Sequence, residues 1–234
     1  MMPEAISQIS KKKYAIDLLI IGLVSLIIFL IFGLIFLVLK IDVTDKPLLL
    51  QVLIWSFMEY GIMGLGMTIV CIFRKESFVS FGLKKEKLLL TLALSILPCL
   101  PELLKTVIQN GGIIYSPFQG VNFTKSVLAS GFPVNVVGMI MIVTSWGFFE
   151  GFTYAVISDR INKLLPKNSI FINWGAIICG IYCVLIHIIV GHSYSGIDVL
   201  CTFLVIYGML VVYKYTGNAW GCVFVYLIYW NAIA

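Results

Sequence analysis

Thr144-Ser-Trp-Gly-Phe-Phe-Glu-Gly-Phe-Thr-Tyr-Ala-Val-Ile-Ser-Asp-Arg160 places one acid, Glu150, inside an otherwise apolar run, and that placement decides the fold. A carboxylate in hydrocarbon needs a partner, a metal, water or a proton, so an acid at membrane depth marks a functional site by default. At helical spacing Gly147, Glu150, Gly151, Tyr154 and Ser158 share one side, a small and polar stripe that faces protein rather than lipid. Gly147 and Gly151 form a Gly-x-x-x-Gly pair, which lets a second helix approach beside the acid.

The surrounding chain has the solvent preference of a membrane protein. Its 234 residues are 61% hydrophobic and 12% charged, with a mean hydropathy of +1.06, values that exclude an ordinary soluble domain. At roughly 20 residues per crossing the expected architecture is an all-α polytopic bundle of about seven transmembrane helices in one domain, 1–234. The apolar segments fall at 14–39, 47–73, 88–107, 134–157, 169–190, 197–213 and 218–234. They divide into N-terminal helices (1–107), a long loop (108–133) and a C-terminal core (134–234).

The net charge of +5 reads as a topology signal, not as nucleic-acid binding. With this threading, Lys11, Lys12, Lys13, Arg74, Lys75, Lys84, Lys85, Lys87, Arg160, Lys163, Lys167 and Lys214 share one side, 12 cations. Lys40, Lys46, Lys105 and Lys125 make four on the other. The positive-inside rule then sets the N-terminus in the cytoplasm of a multi-pass protein of the cytoplasmic membrane. The run after Lys13 lacks a small-residue cleavage site and reads as a retained first helix. Pro98 and Pro101 predict a kink in the third span. Asn110-Gly-Gly112, Pro117, Gly120, Gly131 and Pro133 predict a turn-rich loop that re-enters the membrane or lies on it. The six cysteines all lie in apolar segments and imply no disulfide framework.

Two further residues extend the candidate site. His187 ends Cys179-Gly-Ile-Tyr-Cys-Val-Leu-Ile-His187, where both cysteines share its helix face; it is either a metal ligand or a histidine bonded to a neighbour, with the cysteines as packing. Asn231 closes Thr216-Gly-Asn-Ala-Trp-Gly-Cys-Val-Phe-Val-Tyr-Leu-Ile-Tyr-Trp-Asn231 as an oxyanion donor or an interfacial cap. Together Glu150, His187 and Asn231 describe a water-filled intramembrane site. A carboxylate and an imidazole bind zinc, so Glu150 and His187 are the metal-ligand candidates for a divalent ion, and an amide steadies an oxyanion. Counted from Asp159 and Trp174, Glu150 lies about 14 Å and His187 about 20 Å deep, an offset of roughly one turn. Glu59, midway along the second span, either joins this site or pairs with Lys105 or another cation, and pairing is the expectation. His192 reads as a solvated loop residue.

These residues resemble the CAAX-protease and bacteriocin-processing (CPBP, or Abi) family of intramembrane proteases, over about 78–234. The likeness rests on Phe81-Gly-Leu-Lys-Lys85, Glu150-Gly-Phe-Thr-Tyr154, Cys183-Val-Leu-Ile-His187, Tyr207-Gly208, and Thr216-Gly-Asn-Ala-Trp220 followed by Asn231. The family pattern is Glu-Glu-x-x-x-Arg, Phe-x-x-x-His, then His-x-x-x-Asn or Asp. Glu150, His187 and Asn231 match its first Glu, second-motif His and final amide; Gly151, Ala155, Cys183 and Leu227 stand where the second Glu, Arg, Phe and last His belong. The resemblance implies a glutamate-activated water, a histidine that binds metal or polarises the carbonyl, and cleavage of a membrane-associated peptide in or beside the bilayer. A degenerate relative would instead bind a peptide, lipid or partner helix, for example in self-immunity. A proton- or ion-coupled carrier using Glu59 and Glu150 is the third class, disfavoured because no inverted repeat is visible.

Overall fold

The computed structural model describes residues 2–165, 169–189 and 195–232, and within these the chain is helical with no strand. Five helices are long and apolar enough to cross a membrane: α1 (Lys11–Val38), α2 (Leu48–Arg74), α3 (Leu88–Asn110), α4 (Val134–Leu164) and α6 (Gly196–Thr216). Two apolar helices are shorter, α5 (Trp174–Ile189) and α7 (Trp220–Trp230). The seven apolar segments therefore all become helices, five of them at full spanning length. Leu23, Leu26, Leu30 and Leu34 of α1 are about half exposed, apolar surface that suits lipid rather than water.

The boundaries follow local chemistry. α3 breaks where expected: its first helix ends at Leu94, a 3-10 turn covers Leu97–Cys99, and a second helix runs Leu100–Asn110. α5 starts later than its hydropathy suggests because Asn173 caps it, accepting from the Ala176 N–H at 3.1 Å. The buried Asn173 also accepts from Asn162 Nδ2 at 2.7 Å and donates to the Leu210 carbonyl at 3.3 Å, tying α4, α5 and α6 together. α4 continues to Leu164, beyond the expected end at 157, with Ser158, Arg160 and Ile161 buried.

The loop of 108–133 carries its own short helix, Thr124–Ala129, and buries Phe118, Val121 and Val127 against Val52 of α2 and Ile142 of α4. At its near end the Ser116 N–H donates to the Ala232 carbonyl at 2.9 Å, so it closes over the end of α7. At the opposite end of the bundle, Phe81-Gly-Leu-Lys-Lys85 docks on 216–219. Asn218 Nδ2 donates to the carbonyls of Lys84 and Glu86 at 2.8 Å each, and the Ala219 N–H donates to the Gly82 carbonyl at 2.9 Å. Gly82 has φ +95°, and a Cβ there would lie 2.7 Å from the Gly217 carbonyl oxygen; only glycine fits.

Arg74 and Arg160 are more than topology signals. Arg160 is 1% exposed and Asp17 of α1 is fully buried. Asp17 Oδ1 accepts from Arg74 Nε at 2.8 Å, while Arg160 pairs with both Asp17 and Glu76. Lys13 completes the cluster at 2.7 Å from Glu76, and the Arg160 guanidinium lies 4.7 Å from the Phe81 ring centroid. Burial alone would raise the Glu76 pKa, but hydrogen bonds and charge from Lys13 and Arg160 outweigh it and hold the carboxyl below its usual value.

Candidate functional site

The helices that carry Glu59, Glu150 and Asn231 share a local irregularity. α2, α4 and α7 each contain a π-helical segment, Tyr60–Leu65, Val143–Phe149 and Val225–Trp230. Glu59 immediately precedes the first, Glu150 immediately follows the second and Asn231 immediately follows the third. A π-turn widens the helix and frees backbone groups, which is why such turns recur at functional sites. Hydropathy carries no trace of these shifts.

Glycine brings α4 and α7 together. A Cβ on Gly151 would meet the Cys222 carbonyl oxygen at 2.7 Å and Val223 Cα at 3.0 Å, so the Gly-x-x-x-Gly pair does permit close approach, as its spacing predicts. Leu227 fills the space over Gly147. Asn231 Nδ2 donates to the Trp146 carbonyl at 3.3 Å, fixing the amide to the π-segment that leads into Glu150.

His187 Nδ1 lies 2.8 Å from the Cys183 carbonyl. A carbonyl only accepts, so the proton sits on Nδ1 and Nε2 is the accepting nitrogen of the neutral ring. The ring meets Trp230 edge-on, with centroids 6.0 Å apart. Cys179 and Cys183 are buried packing residues, Cys183 beside the imidazole at 3.7 Å.

Glu150, His187 and Asn231 line one cavity of about 1000 Å³, together with Glu59, Glu102, Lys105, Tyr154, Asp198 and Tyr229. The depth offset read from helix ends does not exclude any of the three from its lining. Leu26 and Phe29 of α1 and Tyr182, Ile186 and Ile189 of α5 line the cavity yet are 38–69% exposed, so the mouth opens sideways between α1 and α5.

No family model, curated protein or solved structure matches the chain. The chemistry of the site is therefore read from its own residues.

Lys105 corrects one expectation. It pairs with Glu102 at 2.6 Å and Asp198 at 2.7 Å, not with Glu59. Among the described residues neither Glu59 nor Glu150 has a cationic partner, and both line the cavity. Glu59 thus belongs to the site, and the sequence signal for it was its depth alone. Tyr229 carries no sequence signal: it is 8% exposed, lines the cavity, and its buried hydroxyl has no hydrogen-bond partner among the described residues. His192 lies outside the described residues. Among those described, no three His, Cys, Asp or Glu side chains are grouped to hold a metal ion. Glu150 and His187 supply two donors where zinc takes three or four protein ligands, so the two by themselves do not make up a zinc site.

Proposed function

We propose that the protein is a divergent CPBP-type intramembrane endopeptidase. The observation that carries this reading is the convergence of Glu150, His187 and Asn231 on one cavity that opens sideways between apolar helices. A segment arriving from the bilayer reaches such a cavity without crossing a polar surface. Glu150 takes a proton from a cavity water as the water oxygen bonds to the scissile carbonyl carbon. Asn231 supplies an amide N–H to the oxyanion that develops. His187 orients the water through Nε2, its proton held on Nδ1 by the Cys183 carbonyl. The proton on Glu150 then passes to the leaving nitrogen as the C–N bond breaks. The cationic cluster of Lys13, Arg74 and Arg160 supports a cytoplasmic N-terminus in the cytoplasmic membrane.

Purified protein in lipid, supplied with candidate membrane peptides, tests this reading. Cleavage by wild type and none by Glu150→Ala is expected; equal cleavage by both removes the catalytic role.

One observation favours a second reading, a non-catalytic relative that binds a peptide, lipid or partner helix in the same cavity. The backbone of α7 occupies the space beside Gly151, so that position cannot hold the second glutamate of the family pattern. A partner that co-purifies equally with wild type and Glu150→Gln, without being cleaved, would select this alternative.

A further inference from the structure

The cavity is electrostatically lopsided. Among the described residues four acids line it, Glu59, Glu102, Glu150 and Asp198, against the single lysine Lys105. Lys105 is consumed by Glu102 and Asp198 at the end near the start of α6. Glu59 and Glu150 are left facing the space without a cation, although the chain as a whole carries a net charge of +5. Acids in an apolar cleft call for a counter-charge. Trp146 and Trp230 also line the cavity, and aromatic rings favour a cation. The mouth, with Phe29 46% and Ile189 69% exposed, admits an apolar body from the lipid side. Under the endopeptidase reading the occupant is a peptide, whose side chain brings the cation and whose apolar body suits the mouth.

We propose that the cavity selects a hydrophobic peptide segment carrying one lysine or arginine, whose cationic group lies between Glu59 and Glu150. This rests on the endopeptidase reading and names its substrate class. Glu59 is then the specificity-determining residue, distinct from the group that activates water.

The test uses full-length protein in nanodiscs and two labelled transmembrane peptides identical except for lysine or norleucine at the central position. Wild type is expected to bind the lysine peptide at least about tenfold more tightly, and Glu59→Gln to reduce that ratio to about twofold or less. The norleucine control varies the ligand on unaltered protein, so a poorly folded variant does not decide the result. Equal affinity of wild type for both peptides, with Glu150-dependent cleavage of either, overturns the proposed selectivity and leaves the endopeptidase reading standing. A Glu59-dependent lysine preference without any cleavage supports the binding site and overturns the reaction. Displacement of neither peptide by dodecylamine is expected; a Glu59-dependent dodecylamine site with no peptide preference overturns the assignment to peptide.

Discussion

Arg160 Nε and Asp17 Oδ2 stand 3.1 Å apart with both side chains removed from solvent, an ion pair that joins the first helix to the end of the fourth. The other Asp17 oxygen is held by Arg74, and the far side of the Arg160 guanidinium by Glu76. Removing one partner leaves the remaining charges of this buried cluster under-compensated, at a cost of up to about 3–5 kcal/mol. Asp17→Ala is therefore expected to lower the unfolding midpoint markedly in detergent, and Arg160→Ala at least as much. Replacing both residues of the pair by apolar side chains should recover part of the loss in the same melt.

Acid should loosen the same end of the bundle. The folded pKa of Glu76 lies below its ordinary value of 4.5, so the unfolded chain binds its proton more readily. Its contribution is present in full above 4.5 and is lost as pH falls through the lower folded value. Melts taken from neutral to about pH 3 should show a declining midpoint in wild type and a shallower decline in Glu76→Gln.

Gly151→Ala should separate α4 from α7, because the added methyl meets backbone at Cys222 and Val223 rather than a movable side chain. Overpacking of this kind costs about 1–3 kcal/mol. The substitution should also lower turnover, since Glu150 is the next residue along. A thermal melt paired with peptide cleavage would detect both effects.

Within the proposed reaction, Asn231→Ala is expected to reduce kcat about 100- to 1000-fold with little change in KM, as for loss of an oxyanion donor. His187→Ala should cost less than Glu150→Ala, because orientation of the water is lost but not its base. Single-turnover cleavage of one peptide by all three variants ranks them directly.

Much of this architecture follows from hydropathy: every apolar segment became a helix, and the prolines at 98 and 101 mark a real break in α3. Asp17 escaped notice because a lone acid just past a lysine run resembles a helix flank, and its partners lie far along the chain. Glu59 was recognised as an acid at depth, but chain order does not say that Lys105 faces Asp198 across another helix pair. The loop of 108–133 looked irregular in sequence and is; that it buries Phe118 and Val121 depends on surfaces offered by α2 and α4.

The three π-segments beside Glu59, Glu150 and Asn231 have a historical reading as well as a geometric one. Each takes in one residue more than the i→i+4 ladder of the α-helix around it requires. Deleting a single residue within Val143–Phe149 would close that bulge while the α-helical halves on either side keep their packing faces. The widened turn beside Glu150 would then be lost while hydropathy and length stayed almost unchanged. Single-codon insertions and deletions, more than substitutions, are thus the changes by which a lineage would assemble or dismantle this site without abandoning the bundle.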